Sequence, residues 1–173
     1  MNLRKAIPGV LLAGLCACAD SVYESPIPAV GYLNYSCNIE TINAIVGQVE
    51  GQAQLNSPGG FVRIYDKRIL TAADALGRGG LLLLQNLEGT GFFAFDLACP
   101  NCYAGGYTGS KVQRLGMDES QMSAFCPACE SEFGAIFWGS PAPTKGPANE
   151  NNYILRQYKA YLLSDGYTLV VTK

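Results

Sequence analysis

Four of the chain's seven cysteines come as two C-P-x-C elements, Cys99-Pro100-Asn101-Cys102 and Cys126-Pro127-Ala128-Cys129, with twenty-three residues between Cys102 and Cys126. In a C-x-x-C turn the backbone curls until both sulfurs face one point and amide hydrogens aim at them. The proline after the first cysteine fixes one φ angle of that turn. Two such knuckles facing each other present four thiolates in a tetrahedron, an arrangement that suits zinc or a single iron. Each pair directly follows a strand-like run, "FFAFDLA" in one case and "MSAF" in the other, which predicts both at loop tips. Two other uses of the same cysteines stay open at this point. In an oxidising compartment they would pair as disulfides that staple the loops. A thioredoxin-like redox pair would need the motif at a helix N-terminus within an α/β domain, and no βαβ pattern is visible.

The compartment bears on that choice. The N-terminus reads "MNLRKAIPGVLLAGLCACAD": Arg4 and Lys5 form a short cationic region, Ala6 to Ala17 an apolar one, and small residues end it. This is the tripartite pattern of a bacterial export signal, and the apolar run is too short to span a bilayer. Leu15-Cys16-Ala17-Cys18 resembles a lipobox, so residues 1–17 are expected to be removed and Cys18 to carry acyl chains as the mature N-terminus. Cleavage after Ala17-Cys18-Ala19 is the alternative and would release a soluble protein. Stable anchoring takes more than one acyl chain, which a bacterial lipoprotein has. The expected location is the cell envelope, on a membrane facing away from the cytoplasm, with the outer membrane favoured.

Without residues 1–17 the chain keeps ten basic and fourteen acidic residues, a net charge of −4, and no basic tract. Nucleic acid is therefore not an expected partner. Residues 18–30, with Pro26 and Pro28 and no apolar periodicity, read as a tether, and residues 31–173 as one domain. Within the domain, short alternating or apolar runs lie between turn residues: "VGYLNYS", "GFVRIYD", "LLLLQNL", "FFAFDL", "KVQRL", "GAIFWG", "YKAYLL" and "YTLVVT". Strands at this spacing predict an all-β fold of antiparallel sheets, a sandwich or a partly open barrel. "TAADALG", from Thr71 to Gly77, is a weak helical candidate, and "ETINAIVG" fits helix or strand equally. Cys37, in an apolar run, is expected to be a small buried side chain. Trp138, with Phe133 and Phe137, is expected to cover the second knuckle as core.

The order of "FFAFDLACPN", "FCPACESEF", "GSPAPTKGPA" and "DGYTLVV" resembles a Rieske iron-sulfur domain over roughly residues 81–171, with the cluster-bearing loops at about 95–148. The resemblance aligns Cys99 and Cys126 with the cysteines of the two Rieske loops. It aligns Ser131 and Phe133 with the serine and phenylalanine of the second motif, and Gly146, Pro147 and Ala148 with the loop that covers the cluster. It thus implies cofactor-binding roles for Ser131, Phe133, Gly146 and Pro147. A Rieske centre needs two histidines on its outer iron, and this chain has none. Cys129 stands at the second-loop histidine position. Asn101 stands at the first, with Cys102 displaced by one residue, and Glu130 replaces a glycine. The resemblance therefore implies a Rieske-like scaffold with four thiolates, Cys99, Cys102, Cys126 and Cys129, at its tip. They would hold zinc by preference, or one iron, or a 2Fe-2S cluster.

The absence of histidine removes the Ser-His-Asp triad, the Cys-His dyad and histidine-bearing metal triads. No phosphate-binding G-x-x-x-x-G-K-S/T occurs, and acidic residues are scattered, so no catalytic residue is assigned. Two functions remain. One is a metal-stabilised lipoprotein with a structural or binding role and an unidentified protein partner. The other is an electron carrier that serves a membrane-associated redox partner.

Overall fold

The computed structural model of the chain describes residues 22–46, 54–65, 70 and 74–173. Residues 1–17, expected from the sequence to be an export signal, together with Cys18 and the start of the Thr71 to Gly77 candidate, lie outside the described residues. Among those described, no helix is long and apolar enough to cross a membrane. The fold is mostly β, with a curled antiparallel sheet that forms a half-barrel. Among the described residues the strands are β1 (Asn34–Asn38), β2 (Phe61–Ile64), β3 (Leu81–Gln85), β4 (Phe92–Asp96), β5 (Gly116–Asp118), β6 (Ser123–Phe125), β7 (Glu132–Phe133), β8 (Gln157–Leu162) and β9 (Thr168–Thr172). Six of them form the curled sheet in the order β1-β9-β8-β4-β3-β2, and β5-β6-β7 form a second, smaller sheet. Every ladder between these strands is antiparallel. The expected partly open barrel is thus observed, and its open edges are β1 and β2.

The unbroken apolar run of β3 follows from its position between two cores. Leu81 and Leu83 enter a cluster with Val62, Ile64, Ala94, Leu169, Val171 and Ile42 of helix α1 (Ile39–Val46). Leu82 and Leu84 point to the opposite face, into a cluster with Phe61, Phe95, Leu97, Phe133, Ile136 and Phe137. Both faces of the pleat are covered, so alternation with polar residues has no reason to appear. All four leucines are fully buried, and each contributes roughly 1.5–3 kcal/mol of transfer free energy. The second cluster also contains Cys99, Cys102 and Cys126, so the cysteine loops close one end of this core.

Where β4 ends, a buried carboxylate gathers four donors. Asp96 accepts the backbone N–H groups of Arg78 at 2.6 Å, Gly79 at 2.8 Å and Ala98 at 2.9 Å, and the Tyr158 hydroxyl at 2.9 Å. The Tyr158 hydroxyl is pushed above its ordinary range by burial and then by the Asp96 charge. Gly79 passes so close to the chain that a Cβ there would collide with the Ala98 and Leu97 backbone.

Local structure departs from the sequence reading in definite places. The described part of "ETINAIVG", residues 40–46, takes the helical of its two readings, within α1. "GAIFWG" is not a strand: Ile136–Trp138 form a 3-10 turn that sends both Ile136 and Phe137 into the same core cluster, whereas neighbours in a strand face opposite sides, and Gly139 ends it at φ +79°. "KVQRL" gives a 3-10 turn at Gly109–Lys111 and a single bridge from Arg114 to Ala98. The described part of "TAADALG" is extended, with Ala75 bridged to Asn34. Two short helices, α2 (Pro100–Ala104) and α3 (Pro147–Glu150), each begin with proline at the first helical position, where its missing N–H costs nothing. The described part of the proline-containing N-terminal segment is docked. Ile27 is fully buried against Ala98 and Val112, and Glu24 bridges to Tyr153.

The Asp96 arrangement generates a stability prediction. Asp96→Ala orphans three backbone donors and a hydroxyl and should cost about 3 kcal/mol or more, while Tyr158→Phe should cost about 1 kcal/mol. Urea unfolding of both variants checks this, and equal, small losses would contradict the four-donor account.

Candidate metal centre

β4 leads directly into the first knuckle and β6 into the second. Cys99 precedes α2, whose first turn carries Cys102 inward, while Cys126 follows β6 and the chain turns back at Glu130, which adopts φ +59°. Cys99 N–H donates to the Gln113 carbonyl and Tyr103 N–H to the Cys99 carbonyl; in the second loop, Glu130 N–H donates to the Cys126 carbonyl and Cys126 N–H to that of Ser131. Each loop is therefore closed by its own backbone, independently of what the sulfurs do.

The four sulfurs converge. Cys99, Cys102, Cys126 and Cys129 place their Sγ atoms all within 4.8 Å of one another. Two pairs between the loops are in close contact: Cys99 to Cys129 at 3.6 Å and Cys102 to Cys126 at 3.6 Å. A tetrahedron of metal–sulfur bonds near 2.3 Å has sulfur–sulfur edges of about 3.8 Å. The observed cluster thus has the dimensions of a single-ion site. All four cysteines are free thiols, as is Cys37 in β1, which is half-buried rather than fully enclosed.

Amide hydrogens point at the sulfurs as the knuckle geometry requires. Cys99 Sγ accepts the Cys102 N–H, and Cys126 Sγ accepts those of Ala128 and Cys129. Hydrogen bonding from Cys99, then these amides, hold the Cys126 thiol down to about 5 against the effect of burial. The proton shared with Cys126, together with burial, pushes Cys99 well above the thiol range. Burial first, then the neighbouring Cys129 and Cys126, push Cys102 up to about 12. Of these three, Cys126 is the sulfur that ionises most readily, held by the Cys99 thiol and by amides. A cation that displaces those protons gains four anionic donors.

Around the cysteines lie the other residues singled out from the sequence. Ser131 is fully buried. Its Oγ accepts the Ala148 N–H at 2.9 Å and lies 3.2 Å from Cys129 Sγ, so its own hydrogen is free to point at that sulfur. Phe133 packs in the same core as Cys99, Cys102 and Cys126. Gly146 sits at φ +73° against the backbone of Glu130 and Ser131, where a Cβ would approach the Glu130 carbonyl to 2.8 Å. Pro147 then starts α3, which delivers the Ala148 N–H to Ser131. Glu132 fastens the same loop: it exchanges backbone hydrogen bonds with Lys145, and its carboxylate pairs with Lys145 Nζ at 2.8 Å. Asn151 Nδ2 donates to Asn101 Oδ1 at 3.1 Å, tying α3 to the first knuckle. The expected aromatic cover is only partly present. Phe133 and Phe137 are buried, but Trp138 is 66% exposed because the 3-10 turn directs it outward.

Sequence reasoning missed Asp96, Asn151 and the Glu132–Lys145 pair. Each acts through a partner distant in sequence, and no local spacing signals it. No protein family, curated protein or solved structure matches the chain.

The thiol shifts set a pH dependence for the reduced, metal-free protein. Cys126, lowered from 9.0 to about 5, is already ionised in the folded state while the unfolded chain still binds its proton, so its contribution to stability grows between pH 5 and 9. Cys102, raised from 9.0 to about 12, keeps a proton that the unfolded chain has lost, so stability falls from pH 9 towards 12. Denaturant unfolding in chelator and reductant should show a maximum near pH 9, and Cys126→Ser should lose the rise between pH 5 and 9. An unchanged acid limb in that variant would contradict the assignment.

Proposed function

We propose that this protein is a lipid-anchored protein of the bacterial cell envelope whose β domain holds one metal ion through Cys99, Cys102, Cys126 and Cys129, with a structural or binding role towards a protein partner. One observation carries the metal reading: four sulfurs from two separate loops lie within 4.8 Å of one another, on the scale of a tetrahedral single-ion site. Zinc is the favoured occupant, because four converging thiolates suit it and it needs no assembly machinery after export. The bound ion would supply a charge that holds the four thiolates ionised. The chain's own residues do the rest: the amides of Cys102, Ala128 and Cys129 stabilise sulfur charge, Ser131 orients Cys129, and the Gly146-Pro147-Ala148 loop shields that contact.

Electron transfer through an iron centre is the second reading. It is favoured by the Rieske-like order of elements and by the amide hydrogens aimed at the sulfurs, which stabilise a charged iron–thiolate centre. The placement of Ser131 behind the second knuckle, with the Gly146 loop against it, supports a Rieske-like scaffold in both readings. The compactness of the sulfur set favours one iron over a 2Fe-2S cluster, whose thiolates on different irons stand farther apart. The lipid anchor rests on Leu15 to Cys18.

Protein purified from its native host should contain one zinc per chain and lack visible absorption. One iron per chain with visible thiolate-to-iron bands would establish the electron carrier instead, and two irons with inorganic sulfide would overturn the single-ion site. Cys126→Ser should lose the metal and gain protease sensitivity in residues 104–123 and 139–151 while keeping its β-sheet circular dichroism. If stability responds to reductant but not to chelator, the cysteines are disulfides. Cys18→Ala should abolish the acyl mass and move the protein to the soluble fraction.

A further inference from the structure

The N-terminal segment and the cysteine site meet at one end of the domain. Glu24 exchanges backbone hydrogen bonds with Asn152 and Ile154, the residues flanking Tyr153, and Arg156 donates to the carbonyls of Ile27 and Ser25. Ile27 is fully buried against Ala98, the residue before Cys99, with Tyr103, the residue after Cys102, packed on the same cluster. Asn151, next to Asn152, bonds Asn101 inside the first knuckle. The segment therefore leaves the domain beside the first cysteine loop.

Chain length turns this into an orientation. From Cys18 to Glu24 there are six Cα steps, at most about 20 Å when fully extended. A tether running free to Val30 would reach about 40 Å by the same measure. The opposite end of the domain is the β8–β9 hairpin. β8 lies antiparallel to β4, with Gln157 opposite Phe95 near the cysteine end, so its course to Leu162 moves away from that end. At about 3.4 Å per residue the hairpin tip lies roughly 20 Å beyond Gln157. Tyr167, 55% exposed, sits beyond the turn. At the cysteine end the exposed residues include Val22, Tyr23 and Tyr107, whose N–H donates to the Cys102 carbonyl.

We infer that the docked N-terminal segment holds the four-cysteine end of the domain against the lipid surface, with the β8–β9 hairpin pointing away from it. The partner of the metal site is then itself embedded in, or seated on, the same membrane. This rests on the lipid-anchored reading of Cys18.

Energy transfer in vesicles tests it. Full-length, metal-loaded, acylated protein is reconstituted in phosphatidylethanolamine vesicles containing a headgroup-labelled acceptor lipid, with a fluorescent coumarin amino acid replacing either Tyr107 or Tyr167. Transfer from position 107 should exceed transfer from position 167 several-fold. A twenty-residue Gly-Ser spacer inserted after Cys18 should collapse that difference. Equal transfer from both positions, or greater transfer from 167, in protein with acyl mass confirmed on Cys18 overturns the inference while leaving the anchor intact. Absence of acyl mass overturns the anchor reading and this inference together.

Discussion

The buried carboxylate of Asp96 is the constraint on which the arrangement depends. It stands at the last residue of β4, one turn of chain before Cys99. Its four hydrogen bonds reach the loop before β3, the start of the first cysteine loop and β8. A carboxylate withdrawn from water is tolerated only when its lone pairs are filled, and here three are filled by backbone groups that would otherwise be orphaned themselves. The same contacts hold the direction in which the chain leaves β4. The position of Cys99 is therefore set before any sulfur interacts with another.

The second knuckle is positioned differently, by a stack of short loops rather than by the large sheet. β6 and β7 bring Ser131 beneath Cys129, Glu132 and Lys145 clamp the proline-containing segment over it, and Gly146 allows an approach that no side chain would permit. The two halves of the site thus rest on separate supports, one rigid sheet and one layered loop assembly, which meet across the sulfurs. Sulfur contacts of 3.6 Å run between the halves, so whatever binds the sulfurs joins the two supports.

How much of this was legible follows from the range of the forces involved. The strands around the core were readable because β3 and β4 are apolar on whichever faces are covered. The cysteine cluster was readable because C-P-x-C is a local device whose geometry is set within four residues. The 3-10 turn at Ile136–Trp138 was not, since an apolar run bounded by glycines fits a strand as well, and only the entry of adjacent Ile136 and Phe137 into one and the same core cluster distinguishes them. Docking of the segment around Ile27 was hidden for another reason. Prolines at 26 and 28 exclude a helix, but they leave an extended chain free to lie on a surface, and the arginine that secures it is more than a hundred residues away.

Burial is unequal among the four sulfur ligands. Cys99, Cys102 and Cys126 are enclosed, whereas Cys129 is half-buried and is the one whose sulfur Ser131 contacts. For a bound ion this separates lability from affinity. Ligand exchange at such an ion would begin where an incoming donor could reach it, and among the described residues Cys129 is the least enclosed of the four cysteines. The lifetime of the complex would therefore depend on how firmly one serine hydroxyl holds one sulfur, while the equilibrium would depend on all four.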